Sequence, residues 1–309
     1  MRGHSLKPKR DPIIDTVKTI VVTALLRLLS WIPLKVLNKL ADGIGYLASL
    51  IPTDTRRITL INLRLVFPTM TESDVRKLAL KSIQQTLRGV LELGHVWYGN
   101  TDHILRMVKD VHGLDLVKQA QDSGRGIIIA APHLGNWELL GLYICRLGPM
   151  TILYKPPKLK GLEQLMVRSR SKAGAELVPT NRHGVIRLSK TLQQGGMTGI
   201  LPDQQPRTDG GVFAPFFGIQ AFTMTLLPKL AVKTGATVIF AYAQRRSGGD
   251  GFDIVFTPAD SDIYHADAVV SATAMNKSVE RCVLAAPSQY QWEYKRFRSR
   301  PEDDPAPLY

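Results

Sequence analysis

Cysteine is nearly missing from this chain. Cys145 and Cys282 are the only two in 309 residues, which excludes a disulfide-stapled scaffold and suits a reducing compartment, although one bridge is formally possible. Aromatic residues are scarce, at 7%, and no aromatic ribonucleoprotein motif accompanies the basic residues, which argues against an RNA reader. A clean membrane span is also missing near the N-terminus. Asp15, Lys18 and Arg27 break the apolar stretch, and Thr19 to Leu26 is its longest uncharged run, short of the roughly 20 residues a spanning helix needs. Several catalytic signatures are absent too: a G-x-S-x-G nucleophile elbow, a G-x-x-x-x-G-K-[ST] phosphate loop, a G-x-G-x-x-G dinucleotide fingerprint, H-E-x-x-H and paired-Cys metal spacing.

Basic charge is what the chain has in excess. The net charge is +14, a balance that draws nucleic acid, acidic head groups or an acidic protein. The excess is local. Residues 1–64 carry 11 Lys/Arg against 4 Asp/Glu, residues 151–190 carry 9 against 2, and these two stretches account for all of it. Hydrophobic residues make up 44%, enough for a large folded core.

The opening "MRGHSLKPKR" precedes "DPIIDTVKTIVVTALLRLLSWIPL". Pro12 suits the start of a helix and Pro33 its end. The basic flank followed by apolar sequence has the outline of a signal peptide, but no small-x-small cleavage site follows closely. It is read as a membrane-associating helix with its basic flank on the cytosolic side, either spanning or lying in the interface. A second amphipathic stretch, "LKVLNKLADGIGYLASLIP", extends that surface or packs on the first. Residues 1–52 are accordingly separated from a catalytic domain at 53–309.

Residues 54–64 are polar and basic, and residues 71–98 read as one long helix capped by Thr71 or Ser73 with acids in its first turn. From residue 113 onward, short apolar runs alternate with helical patterns. "GIIIAA", "MTILYK", "AELVPT", "MTGILPDQ", "ATVIFAYAQRR" and "GFDIVFTP" read as strands, and the segments between most of them read as helices. That alternation predicts an α/β fold with a largely parallel mixed sheet flanked by helices. Ligands in such folds sit beyond the carboxyl ends of the strands, which places His133 and Asp203 on one functional edge.

"APHLGNWE", residues 131–138, holds the densest chemistry. Of the seven histidines, only His133 has an acid five positions on, at Glu138. Fewer than one such pair is expected by chance, so the spacing decides little, whereas its place directly after a buried strand raises its significance. Positions i and i+5 of one helix diverge by about 140°. The two side chains can therefore meet only if His133 lies in a turn and the helix begins near Gly135 or Asn136, with Asn136 a good cap. Glu138, in the first helical turn, would then orient His133 as a general base. With no Ser or Cys nucleophile beside the pair, direct deprotonation of a bound hydroxyl is the chemistry it suits.

The same segment resembles the H-x-x-x-x-[DE] motif of the glycerolipid acyltransferase superfamily. More narrowly, the chain resembles the bacterial lipid A late acyltransferases, the Kdo-dependent lauroyl and myristoyl transferases, whose signature includes the Asn136-Trp137 pair. "VRSRSKAGAELVP" (167–179), "GILPDQQP" (199–206), "GVFAPFFG" (211–218) and "QYQWEYKRFRSRPE" (289–302) resemble further blocks of that family, in its order. The resemblance implies a glycerolipid acyltransferase-like fold and transfer of an acyl chain from acyl-acyl carrier protein, or acyl-CoA, to a lipid hydroxyl. The acceptor would be a lipid A precursor or related glycolipid, at the cytoplasmic face of the bacterial inner membrane, with no cofactor, no metal and no nucleic acid. The block at Gln204-Gln205-Pro206 varies in the family, which leaves acceptor and chain length open. Under this reading His133 and Glu138 are catalytic. Arg168, Arg170, Asp203 and Asn136 bind substrate, Arg168 slightly favoured over Arg170 for acceptor phosphate. Phe213, Phe216 and Phe217 are candidates to line an acyl channel. Oxyanion donors are expected from backbone N–H groups near Gly135 or from a basic side chain. An acyltransferase acting on another lipid (a phospholipid or aminolipid), a thioesterase, a membrane-bound or anion-binding protein with a vestigial site, and a nucleic-acid binder are the alternatives.

Overall fold

The computed structural model describes residues 12–157, 159–207 and 209–309. The basic residues at positions 1–11, Lys158 and Thr208 lie outside that range, so the reading of "MRGHSLKPKR" does too.

Five helices lead the chain: α1 (Pro12–Leu29), α2 (Leu34–Leu50), α3 (Asp54–Val66), α4 (Glu72–Tyr98) and α5 (Thr101–Leu105). Pro33 precedes α2 and separates it from α1, as its fixed φ and missing N–H require. α4 is the long helix expected at 71–98. Thr71 caps it, its hydroxyl accepting the Asp74 N–H, with Glu72 and Asp74 against the positive end of the dipole. α1 and α2 both cross α4 closely. At Gly94 an added Cβ would meet Leu29 Cβ at 2.8 Å, and at Gly45 it would meet Gln84 Cγ at 2.7 Å.

The remainder is the α/β body, in the order β1 (Val108–His112), α6 (Leu114–Asp122), β2 (Ile127–Ala130), α7 (Trp137–Ile144), β3 (Met150–Tyr154), α8 (Glu163–Ser171), β4 (Ala175–Pro179), α9 (Arg182–Gln193) and β5 (Met197–Ile200). Then come β6 (Gly211–Phe216), β7 (Ile219–Met224), α10 (Leu226–Thr234), β8 (Thr237–Arg245), β9 (Phe252–Pro258) and α11 (Ala268–Ala285). Seven strands form one sheet in the order β1-β9-β8-β2-β5-β3-β4. All its pairings are parallel except β8 with β9. The expected largely parallel sheet is therefore present, and every expected strand appears in it.

β2 runs through the middle and is buried on both faces. Ile128 and Ala130 point into one core with Leu188, Leu230 and Met275, while Ile127 and Ile129 point into the other with Val117, Leu139 and Ile254. Helices on both faces explain why this strand is continuously apolar instead of alternating.

Several elements were not anticipated. The polar 54–64 stretch is helical as part of α3, because Thr53 caps it and Ile58, Leu63 and Val66 line one buried face. β1 joins the sheet edge through β9. "GVFAPFFG" forms a separate antiparallel hairpin, β6–β7, whose turn puts Phe217 and Gly218 at positive φ, +50° and +77°.

The expected membrane-spanning possibility is narrowed. Among the described residues no helix is long and apolar enough to cross a membrane. α1 and α2 nonetheless carry an unusual surface. Fifteen large hydrophobic side chains from Ile13 to Ile51 are exposed, against seven in the rest of the described chain.

Candidate active site

β2 and β5 are neighbouring parallel strands with Ala130 opposite Ile200. Three residues beyond that pair, the chain places His133 and Asp203 together. Asp203 is buried, 2% exposed. Its Oδ2 accepts the His133 backbone N–H at 2.9 Å, and its Oδ1 lies 2.8 Å from the ring Nδ1. Burial alone would raise the Asp203 carboxyl, but the charge and hydrogen bonds of His133 outweigh it and hold it below its ordinary value. An ionised carboxylate only accepts, so Nδ1 is the donor in this contact, and in the neutral ring that tautomer leaves Nε2 as the acceptor.

This arrangement corrects the expected His133–Glu138 hydrogen bond. Glu138 does sit in the first turn of α7, and Asn136 does cap that helix, its Oδ1 accepting the Leu139 N–H at 2.9 Å. The Glu138 carboxylate is taken by Arg170, through Nη2 at 2.5 Å and Nε at 3.2 Å, and by Trp97 Nε1 at 3.4 Å. The turn that frees His133 from the helix points its Nδ1 toward β5. Of the two arginines, Arg170 faces the site and Arg168 is exposed on the far side of α8, opposite to the slight preference stated above and consistent with their ~200° separation on a helix.

The loop 131–136 is clamped from behind. Gln291 N–H donates to the His133 carbonyl, Gly135 N–H to the Gln289 carbonyl and Asn136 N–H to the Ala243 carbonyl. The N–H groups of Gly135 and Asn136 are thus engaged, which removes them as oxyanion donors. Gly135 has φ +64°, and a Cβ there would strike the Ala243 carbonyl, so only glycine fits. Behind the loop, Asn136 Nδ2 donates to Glu92 at 2.8 Å, and Glu92 forms a buried ion pair with Arg245 at 2.8 Å. Sequence reading missed Glu92, Arg245, Gln289 and Gln291. Gln289 and Gln291 lie in the C-terminal block "QYQWEYK", whose partner could not be known before the chain folded back, and Glu92 and Arg245 carried no local signal.

Two cavities meet at His133, Trp137 and Glu138. One, about 190 Å³, runs between α7 and the sheet and is lined by aliphatic groups such as Leu140, Ile144, Met150, Ile152 and Leu201, with Arg170 bordering it. The other, about 170 Å³, lies between α7, α4 and the C-terminal segment and mixes Gln85, Thr86, Gln291 and Glu293 with Val90 and Leu93. Trp137 packs edge-on against the His133 ring at 5.2 Å.

The three expected channel aromatics border neither cavity. Phe216 is fully buried against Phe217, Tyr290 and Phe297. Phe217 packs on Phe67 and Trp292, and Phe213 on Phe222 across the hairpin. Phe216 and Phe217 belong to the core, whereas Phe213 is half-buried on the hairpin. Cys145 and Cys282 are both free thiols. No cluster of three metal-ligating side chains occurs among the described residues.

A His–carboxylate pair beyond the strand ends, opening on an aliphatic cavity, has the geometry to take a proton from a bound hydroxyl. The family comparison agrees: the model of the family described as "Bacterial lipid A biosynthesis acyltransferase" matches residues 7–299. The chain belongs to that family and is an acyltransferase. It is similar to the lipid A biosynthesis lauroyltransferase of Escherichia coli (strain K12), 29% identical over 276 residues that cover 89% of each chain. It is also similar to the lipid A biosynthesis palmitoleoyltransferase of the same organism, 28% over 275 residues and 87% of each chain. A phosphatidylinositol mannoside acyltransferase of Mycolicibacterium smegmatis is 30% identical over 171 residues, 53% of this chain and 55% of that one.

Proposed function

We propose that this acyltransferase moves a fatty acyl chain from acyl-acyl carrier protein to a hydroxyl of a lipid A precursor or related glycolipid, at the cytoplasmic face of the inner membrane. One observation carries the reading: His133, its Nδ1 fixed by Asp203, stands where the aliphatic cavity meets a second cleft between α4, α7 and the C-terminal segment. The acyl chain enters the aliphatic cavity with its thioester at His133. Nε2 takes the proton of the acceptor hydroxyl, whose oxygen attacks the thioester carbon. The resulting oxyanion faces the N-terminus of α7, where the N–H groups of Trp137 and Glu138 have no partner within the helix. Collapse breaks the C–S bond, and the His133 proton goes to the departing thiolate. Glu138 holds Arg170 at the cavity edge, where its cation faces the donor's phosphate-bearing arm. The acidic carrier is drawn by the basic 151–190 stretch. Mass spectrometry of lipids incubated with the protein and acyl-acyl carrier protein tests the whole reading. A glycolipid that gains the mass of one acyl group supports it, and thioester hydrolysis without any acylated lipid would replace it with a thioesterase.

The cavity wall makes the chain length adjustable. Gly199 borders it, and a Cβ there would meet the flexible end of Met150 at 2.7 Å. Gly199→Val is expected to shift the favoured donor by roughly one to three methylenes toward shorter chains, each buried CH₂ being worth about 0.8 kcal/mol. A donor series of increasing length checks this; an unchanged optimum would place the chain elsewhere.

Exposed apolar side chains of α1 and α2, among them Ile20, Val21, Leu25, Leu47 and Leu50 at 52–64% exposure, support membrane association. Lys18, Arg27, Lys35 and Lys39 lie on the same helices for anionic head groups. In this reading the two helices lie in the interface. Val21→Glu with Leu47→Glu should lower liposome partitioning by roughly tenfold or more per site, given ~1.5–3 kcal/mol for burying such a side chain. The melting temperature should hardly move, because both positions face solvent. Undiminished flotation would exclude this face.

A further inference from the structure

We propose that Arg296 is a positioning residue of this acyltransferase: it is the buried counter-charge of Asp203, and it lets the His133 ring rest neutral and act as a base. The inference deepens the general-base reading above and rests on it.

Among the described residues only four side chains of Asp, Glu, Lys or Arg are buried: Glu92, Asp203, Arg245 and Arg296. Glu92 and Arg245 pair with each other. Asp203 and Arg296 are left, one of each sign. Arg296 is 2% exposed. Its Nη1 donates to the Phe222 carbonyl at 2.7 Å, and its Nη2 donates to the Thr223 hydroxyl at 2.8 Å and to Asn276 Oδ1 at 3.4 Å. The guanidinium also lies 5.3 Å from the centre of the Phe216 ring. All these partners are neutral, and Nε is buried with no partner among the described residues. A guanidinium keeps its charge in a protein, and a buried charge without compensation is costly. The hydrogen bonds hold Arg296 in place but do not cancel its charge.

Tyr290 stands between the two. Its ring neighbours Phe216 at 6.4 Å, and burial followed by the Asp203 charge pushes its phenol well above the ordinary value. Burial lowers Arg296, with Tyr290 and Asp203 opposing the fall. Across so dry a core a charge acts beyond direct contact. A buried carboxylate beside an imidazole favours the protonated ring, because the opposite charge compensates it. Such a ring has no lone pair to offer as a base. A fixed cation behind Asp203 takes over that compensation and opposes a second positive charge on His133.

The test is kcat/KM against pH for the full-length protein, with lauroyl-acyl carrier protein and a purified lipid A precursor. Arg296→Gln removes the charge and keeps a side-chain amide as donor, whereas Arg296→Lys keeps the charge. The acid limb marks proton uptake by the His133–Asp203 pair. In Arg296→Gln that limb should move up by about one pH unit, a tenfold gain in proton affinity, with the plateau at higher pH within roughly threefold of wild type. In Arg296→Lys it should stay within about 0.3 unit of wild type. A residue with only a structural role would lower the plateau and leave both limbs in place. That result overturns the proposal, as does an equal shift in both variants.

Other ionisable groups face the pair. Burial pushes the Cys282 thiol up to about 11, and the phenols of Tyr290, Tyr294 and Tyr309 face Arg296; phenols carry no charge on an acid limb. Glu138 is paired with Arg170 and Glu92 with Arg245. Glu293 is the exception, raised by burial and coupled to His133. The difference between the Gln and Lys variants should therefore persist in a Glu293→Gln background, and its disappearance there would assign the limb to Glu293 and sink the proposal. Should Arg296→Gln fail to fold alone, or the wild type prove inactive on this acceptor, melting decides. Asp203→Asn leaves Arg296 uncompensated, so adding Arg296→Gln to it should raise the melting temperature, and a lower one rejects the pairing. If wild-type activity has no acid limb, or His133→Ala retains it, the general-base reading falls and this inference with it.

Discussion

His133→Ala should lower acyl transfer by about 10²–10⁴-fold, the usual contribution of a positioned general base, with little change in the melting curve. The more informative member of the series is Asp203→Asn. Asp203 accepts both the backbone and the ring N–H of His133. An amide there can offer its own N–H to Nδ1 and select the wrong tautomer, leaving Nε2 protonated and unable to act as a base. The expected loss approaches that of His133→Ala, falls in kcat, and leaves the KM of both substrates near the wild-type values. Glu138→Gln should behave differently. It keeps the first turn of α7 but loosens Arg170, so it should act on donor KM before kcat. A Glu138→Gln variant as inactive as His133→Ala, beside a silent Asp203→Asn, would restore the His133–Glu138 dyad. Acid stability adds a second readout. The folded carboxyl of Asp203 is held below its ordinary 3.8, so its contribution is fully present above that value and is lost as pH falls through the folded one. Asp203→Asn should therefore flatten the acid limb of the stability curve.

The contrast between Glu138 and Asp203 shows how far the sequence could be read. The strand ends were legible: "GIIIAA" and "TGIL" are apolar runs stopped by Pro132 and Pro202, and both histidine and aspartate follow directly. Their placement on one sheet edge was therefore foreseeable. What decides the pairing is register, Ala130 opposite Ile200, and no local pattern in either strand encodes which strand lies beside it. Glu138 was the partner within reach of the local chain, so it was preferred. The hairpin aromatics failed for a related reason. Phe213, Phe216 and Phe217 look the same in sequence whether they line a channel or fill a core, and for Phe216 and Phe217 only the return of Tyr290, Trp292 and Phe297 onto them distinguishes the two. Asn136 was legible as a cap because capping is a matter of three adjacent residues. Its second bond, to Glu92 forty-four positions away, was not.

That second bond leads to the largest expected loss of stability. Arg245→Met should destabilise the fold by roughly 3–5 kcal/mol, because it leaves the Glu92 carboxylate buried without its counter-charge. The side chains are 5% and 3% exposed, so water cannot replace the guanidinium. Glu92 would keep only the Asn136 amide, and any shift of that carboxylate toward solvent drags on the cap of α7 and on the loop that carries His133. Activity should therefore fall together with the melting temperature, and the melting transition should drop by several degrees or more. The double variant Glu92→Gln with Arg245→Met separates the two terms. It removes both charges at once, so it should be less destabilised than the sum of the singles, with a coupling of about 0.5–3 kcal/mol. It should also regain part of the lost transfer, because the introduced side-chain amide can still receive the Asn136 N–H through its carbonyl oxygen. Strictly additive losses would mean that the pair does not act as a unit, and the His133 loop would then owe its position to Asp203, the Ala243 carbonyl and the C-terminal residues Gln289 and Gln291.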